Sequence, residues 1–258
     1  MIKAAFFDID GTLLSHSTNS VPPSAVLALE ALRSKGILTF IATGRHISML
    51  EQMEPLRGLR FDGMITLNGQ YCRNDREILY HCPIEKASIA ALLDYLKANP
   101  HPCILVEEDR MYINFHNALV EKVQATIHSD MPTLGDLNRG YDHPIYQAIL
   151  YMSDEDLARL PDLPGIRLTR WNLGGADLIP SSGGKATGIA KVLEHYGIDQ
   201  SETIAFGDGE NDVDMFRAVG TAVAMGNACP EAKAAAHYIT DPVDENGIWS
   251  ALKHFGVL

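Results

Sequence analysis

Four short apolar runs constrain the fold of this chain more than any other feature. They are Lys3–Phe7 (KAAFF), Ile37–Ala42 (ILTFIA), Met64–Leu67 (MITL) and Thr203–Phe206 (TIAF). None alternates with polar residues, and each stops at a turn rich in Gly, Asp or Asn. That pattern predicts strands buried on both faces. Helical patterns lie between them. Pro22-Pro23-Ser24 opens one, with Val26, Leu29 and Leu32 on one face and Gly36 closing it. Another passes through Met49 and Met53, a third spans Lys185–Tyr196 before Gly197, and a fourth spans Val213–Val219. Thr221–Met225 (TAVAM) adds a further strand. Strand–helix alternation of this kind predicts an α/β fold with a parallel sheet.

From Cys82 to Ser182 the pattern changes. A helix is expected over Glu85–Ala98, strands over Cys103–Glu107, Met111–Phe115 and Ile145–Met152, a helix over Asp154–Leu160, then strands over Arg167–Trp171 and Ala176–Ile179. Hairpin-like strands with two helices predict an α+β domain inserted into the first. The expected division is 1–81 with 183–258 for the core and 82–182 for the insertion.

A formal net charge of −12 disfavours binding to nucleic acid and repels phosphorylated metabolites at long range. Any phosphate chemistry must therefore rest on local donors and a bound cation. No stretch reaches the roughly 20 apolar residues of a membrane helix, and the N-terminus lacks a signal-peptide pattern. Cys72, Cys82, Cys103 and Cys229 match no zinc spacing and suggest reduced thiols. A cytoplasmic protein is expected, a monomer or homodimer with no membrane partner.

Four segments carry candidate chemistry, each at a strand end or just before a helix, where open α/β sheets bind ligands. In Asp8-Ile9-Asp10-Gly11-Thr12, two carboxylates can converge on a hard cation, and a carboxylate can attack phosphorus. An acidic turn is the plainer reading of that segment alone; an EF-hand is excluded, since Asn19 stands where its closing Glu would be. Thr43-Gly44-Arg45 offers a hydroxyl and backbone N–H groups at an expected helix N-terminus, or simply a helix cap. Lys185, after Ser181-Ser182-Gly183-Gly184, could neutralise phosphate or be a solvated lysine. Gly207-Asp208-Gly209-Glu210-Asn211-Asp212 places acids at a helix start. The helix dipole accounts for one of them; a shared cation site accounts for the cluster.

Together these segments resemble the haloacid dehalogenase-like hydrolase superfamily: DIDGTLL its first motif, ATGR its second, Lys185 its third and GDGENDVDM its fourth. The position of the insertion resembles the Cof-type phosphatases with an α/β (type IIB) cap. The resemblance implies a Rossmann-like core with an inserted cap domain. It implies Asp8 as nucleophile and Asp10 as general acid and base. It also implies Mg²⁺ held by Asp8, Asp208 and the Asp10 backbone carbonyl, with Asp212 orienting Lys185 or standing in the second shell of the metal. Ile9, Thr43, Gly44, Lys185 and Asn211 would bind the substrate phosphate. Asp10 favours phosphate transfer over dehalogenation. Two departures stand out: Lys185 is followed by Ala186 rather than Gly, and His46 stands where such proteins often carry Pro, either near substrate or on a helix surface.

The expected activity is Mg²⁺-dependent hydrolysis of small phosphorylated metabolites, such as sugar phosphates, through an aspartyl-phosphate. A phosphomutase is the alternative enzyme, and a non-catalytic Mg²⁺- or phosphate-binding module the alternative class. Candidate specificity contacts lie in the turns Glu107–Arg110 and Trp171–Gly175.

Overall fold

The computed structural model describes residues 1–126, 129–172 and 174–258, the last four of the middle stretch by their main chain alone. Chain order begins with β1 (Ala4–Phe7), α1 (Pro23–Ser34), β2 (Leu38–Ala42), α2 (Ile47–Gln52), β3 (Gly63–Thr66), β4 (Tyr71–Arg73) and β5 (Ile78–His81). It continues with α3 (Lys86–Ala98), β6 (Cys103–Val106), β7 (Met111–Ile113), α4 (Ala118–Thr126), β8 (Gln147–Leu150), α5 (Asp154–Leu157), β9 (Ile166–Asn172) and β10 (Gly175–Pro180). It closes with α6 (Lys185–Tyr196), β11 (Thr203–Gly207), α7 (Asp212–Arg217), β12 (Thr221–Ala224), α8 (Pro230–Ala235), β13 (Tyr238–Ile239) and α9 (Gly247–His254). These elements form two compact units, Met1–His81 with Gly183–Leu258, and Cys82–Ser182.

The first unit is built on one sheet in the order β13-β12-β11-β1-β2-β3-β4-β5. All neighbours from β13 to β3 run parallel, and β4 and β5 are antiparallel. The alternation of side chains along KAAFF explains its composition. Ala4 and Phe6 pack with Phe40 and Ile65 under Ile189 and Val192 of α6. Ala5 and Phe7 face the other way, onto Ala28 and Leu32 of α1 and Ile248 and Leu252 of α9. With helices on both faces, neither set of side chains meets water. Phe6 stacks on Phe40 and Phe7 on Phe206, each pair 5.1 Å between centroids. Register places Phe7 beside both Ile41 and Phe206, and Ala42 beside Ile65. The C-terminal ends of β1, β2, β3 and β11 therefore emerge along one edge, and all four candidate segments begin there or at the start of α6.

Several elements differ from the sequence reading. The hairpin β4–β5 extends the sheet where no strand was expected. Its turn is made by Asn74, whose Oδ1 accepts from Arg76 N at 2.8 Å and Glu77 N at 2.9 Å. Beyond β12, α8 and α9 were also not expected. In the inserted unit the sheet is antiparallel throughout, in the order β7-β6-β8-β10-β9. Its second long helix is α4; the expected helix over Asp154–Leu160 is the single turn α5. Glu107, placed in a possible substrate-binding turn, is buried instead. Its carboxylate accepts from Arg139 Nε at 2.9 Å, Arg139 Nη2 at 2.8 Å and the Tyr112 hydroxyl at 2.8 Å. Leu173 and the side chains of Trp171 and Asn172, in the other proposed turn, lie outside the described residues.

Burial on the sheet yields a direct test. Phe6→Ala should destabilise the protein by about 3–5 kcal/mol. Leu27→Ala, on the exposed side of α1, should change stability by no more than about 0.5 kcal/mol. Urea denaturation of the two variants measures both.

Candidate active site

β1 ends at Phe7, and Asp8 follows with its N–H donating to Phe206 O at 3.0 Å. The chain then turns back on itself. Ile9 O accepts from Leu13 N at 3.0 Å and Leu14 N at 2.7 Å, and Gly11 N donates to Leu14 O at 2.9 Å. Gly11 sits at φ 81°. A Cβ there would run into the Asp208 carboxylate, so only glycine lets the two acidic loops come this close. The Thr12 hydroxyl joins the two loops by donating to Asp208 Oδ1 at 2.8 Å, and Asn227 Nδ2, after β12, donates to Gly11 O at 2.8 Å.

Lys185 begins α6 and is fully buried at Nζ. It donates to Asp8 Oδ1 at 2.7 Å and Asp212 Oδ1 at 2.6 Å. The second oxygen of Asp212 accepts from the backbone N–H of Asp208 at 2.8 Å and of Gly209 at 2.9 Å. Asp212 thus ties α6 to the turn after β11. Carboxylate oxygens of Asp8, Asp208 and Asp212 lie within 4.8 Å of one another. Glu210 is exposed and stands outside this cluster.

One buried ammonium against three carboxylates leaves excess negative charge. Burial pushes the Asp8 carboxyl up to about 8 against the pull of Lys185, and Asp212 and Asp208 add to the rise. Burial also pushes Asp208 up to about 6, although the bond from Thr12 works against it. For Lys185, burial favours the neutral amine, but Asp212 and Asp8 outweigh it and hold the ammonium above the usual lysine value. An all-oxygen donor set with surplus negative charge fits a hard divalent cation. Asp212 spends its oxygens on Lys185 and two N–H groups, so Asp8 and Asp208 are the members best able to hold a cation. The structure groups Asp212 with them, and sends the Asp10 carboxylate elsewhere.

Asp10 meets Arg45. Arg45 Nε donates to Asp10 Oδ2 at 2.7 Å and Nη2 to Oδ1 at 2.8 Å, a two-point clamp. The motif gives Arg45 no role of its own beyond its place in Thr43-Gly44-Arg45. Thr43 follows β2, its N–H donating to Ile65 O at 2.8 Å and its hydroxyl accepting from Arg45 N at 3.2 Å. No helix starts at Thr43–Gly44. α2 begins at Ile47, and its cap is His46, whose Nδ1 accepts from Ser48 N at 3.2 Å. His46 is buried, not on a helix surface. Ile9 is also buried, among Leu14, Ile41, Leu50 and Leu56, so any phosphate contact there falls to its main chain. Asn211 precedes α7, and its Nδ2 donates to Asn68 Oδ1 at 3.3 Å.

Asn68 belongs to a turn of unusual backbone at the end of β3. Leu67 (φ 51°), Asn68 (φ 53°) and Gly69 (φ 93°) are left-handed in succession, a conformation costing a residue such as leucine roughly 1–2 kcal/mol. Leu67 N donates to Arg45 O at 3.2 Å and Asn68 N to Thr43 O at 3.0 Å. Gly69 lies so close to Gly184 that a Cβ would strike its carbonyl. The next residue, Gln70, is fully buried, yet neither Oε1 nor Nε2 has a hydrogen-bond partner among the described residues. An unsatisfied buried polar group costs about 1–3 kcal/mol. From sequence, Leu67 reads only as the end of the run Met64–Leu67 and the residues after it as a turn.

The raised carboxyls set a pH dependence. Both bind protons in the folded state that the unfolded chain releases near its ordinary value of 3.8. Their stabilising contribution is whole below that value and is lost as pH rises through about 6 and then about 8. With EDTA present, Asp208→Asn should flatten the fall in Tm across this range. A parallel Tm profile for wild type and variant would contradict the charge excess.

Residues 5–252 match a family model described as haloacid dehalogenase-like hydrolase. The YkrA protein of Bacillus subtilis (strain 168) is 37% identical over 99% of this chain and 98% of its own length. The HMP-PP phosphatase of Enterobacter sp. (strain 638) is 29% identical, covering 90% of this chain and 86% of that protein. Among solved structures, the HAD subclass IIB sugar phosphatase BT4131 is 37% identical with a TM-score of 0.84, over 99% of this chain and 100% of that one. The chain belongs to the haloacid dehalogenase-like hydrolases.

Proposed function

We propose that this enzyme is a Mg²⁺-dependent phosphatase of small phosphorylated metabolites, sugar phosphates or esters of similar size, and that Asp8 is its nucleophile. One observation carries the reading above the others: Asp8 is held by Lys185 at 2.7 Å inside a cluster of three carboxylates, with a fourth, Asp10, two residues away. The similarity to a sugar phosphatase and an HMP-PP phosphatase supports the substrate class.

Asp8 and Asp208, with the backbone carbonyl of Asp10, would hold the cation. When bound, Mg²⁺ supplies positive charge that lets an anionic carboxylate approach an anionic ester. Lys185 fixes the direction of Asp8 and places a second positive charge beside the phosphoryl oxygens. Asp212 keeps Lys185 in place from the opposite side. Thr43, Gly44 and Asn211, with the Ile9 main chain, would bind the remaining phosphoryl oxygens, as phosphoryl transfer rests mainly on positioning and charge neutralisation.

As the Asp8 oxygen bonds to phosphorus and the ester P–O bond breaks, the leaving oxygen takes the proton of Asp10 and departs as an alcohol. Water then attacks the phosphorus of the aspartyl-phosphate, passes a proton to the Asp10 carboxylate and releases phosphate, which restores both acids. Arg45, bound to both oxygens of Asp10, orients that side chain before substrate arrives, and one Asp10 oxygen leaves this clamp to carry the proton.

Phosphate release from sugar phosphates and from p-nitrophenyl phosphate should depend on Mg²⁺ and stop in EDTA. Asp8→Asn should lower kcat by roughly 10⁴-fold or more, since it removes the reacting group. Asp10→Asn should lower it by about 10²–10⁴-fold, the range for a lost acid–base group. Circular dichroism should show both variants folded. Turnover by Asp8→Asn at the wild-type rate would rule out the covalent route.

A further inference from the structure

Two unfavourable features fall within four consecutive residues, Leu67–Gln70. Leu67 is the only left-handed residue among the described ones that is neither glycine nor asparagine. Both carboxamide atoms of Gln70 are buried and unpartnered among the described residues. Neither feature is needed to end a strand: a single glycine turn would do that without burying an amide. Evolution keeps such local costs where the backbone must present particular groups.

The position of the turn says which groups. Its main chain is bonded to Thr43 O and Arg45 O. Gly69 packs on Gly184, one residue before Lys185. The Asn68 carboxamide lies over Gly44, its Oδ1 and Nδ2 being 3.0 and 3.1 Å from where a Gly44 Cβ would stand. Asn68 Oδ1 accepts from Asn211 Nδ2 at 3.3 Å, which leaves its own Nδ2 to donate elsewhere. One short turn thus touches three of the four candidate segments: Thr43–Arg45 through its main chain, the lead-in to Lys185 through Gly69, and the segment of Asn211 and Asp212 through Asn68.

We propose that the Leu67–Gln70 turn is a substrate subsite, in which Asn68 donates to the phosphate ester and the Gln70 carboxamide binds a hydroxyl of the leaving group. The proposal rests on the phosphatase reading above. A carboxamide offers one acceptor oxygen and two N–H donors. A hydroxyl, itself donor and acceptor, satisfies both kinds of atom; an aryl or alkyl leaving group satisfies neither. The ligand class is therefore a hydroxyl-rich phosphate monoester. A site built to hydrogen-bond a hydroxyl discriminates strongly against substrates that lack one, because its own buried groups are then left unpaired.

The test compares full-length wild type, Gln70→Met and Asn68→Gly with Mg²⁺, using glucose 6-phosphate and p-nitrophenyl phosphate as probes. Gln70→Met removes an unpaired amide at similar volume, so its ligand-free Tm should equal or exceed that of wild type. Its kcat/KM on the sugar phosphate should fall about tenfold or more, with a change of less than about threefold on the aryl ester. Asn68→Gly relieves a left-handed residue, so Tm should hold or rise while kcat/KM falls about tenfold on both esters, through KM. A lower Tm for Gln70→Met would mean that the amide is satisfied within the folded protein, and would overturn its role as a ligand group. Wild-type kcat/KM values in both variants would overturn the subsite as a whole. Absence of turnover by wild type on either ester would instead overturn the phosphatase reading, which separates the two failures.

Discussion

A lysine ammonium with no exposure to water, bonded to two carboxylates, organises this site. Lys185 is the first residue of α6, Asp8 the first after β1, and Asp212 the first of α7. Nothing close in sequence joins these three. The sheet does, by setting β1 and β11 in parallel with their C-terminal ends together. Removing the lysine would leave uncompensated carboxylates in a buried place, the costly way to break such a group. Removing an acid would strip the ammonium of a partner. The group is therefore coupled to the fold as tightly as to the chemistry.

Charge at the site is deliberately unbalanced. The lysine compensates part of the negative charge of Asp8, Asp208 and Asp212, and the remainder appears as carboxyls that hold protons well above their ordinary range. A divalent cation bound there would displace those protons and return the carboxyls to the ionised state. The overall charge of −12 makes this local supply of positive charge necessary, because the surface gives an anionic substrate no long-range attraction. Asp10 stands apart from the cluster, clamped by Arg45.

Much of the core was legible in sequence because burial on two faces leaves a recognisable mark. KAAFF cannot alternate when Ala4 and Phe6 serve one side of the sheet and Ala5 and Phe7 the other. The hairpin β4–β5 left a weaker mark: its strands are three and four residues long, and β5 is half exposed. Helix α4 was missed because polar residues interrupt its apolar face. At the site, Asp8, Lys185 and Asp208 could be read from their motifs, since glycines and acids after an apolar strand are unusual. Arg45 could not, because an arginine beside a turn is common and its partner lies 35 positions away. The burial of His46 could not be read either, because cap geometry depends on where α2 starts. The backbone of Leu67 and the buried amide of Gln70 leave no trace in composition or spacing; they exist only in the folded chain.

The covalent role proposed for Asp8 is tested most directly by looking for the phosphoryl group itself. Mixing the protein with Mg²⁺ and a sugar phosphate, quenching in acid within milliseconds and mapping peptides by mass spectrometry should show one phosphoryl group on the peptide carrying Asp8. Asp10→Asn, impaired in activating water, should accumulate more of it, and Asp8→Asn none. A phosphoryl group on any other side chain, or steady-state phosphate release with no phosphorylated peptide in wild type or Asp10→Asn, would contradict nucleophilic attack by Asp8.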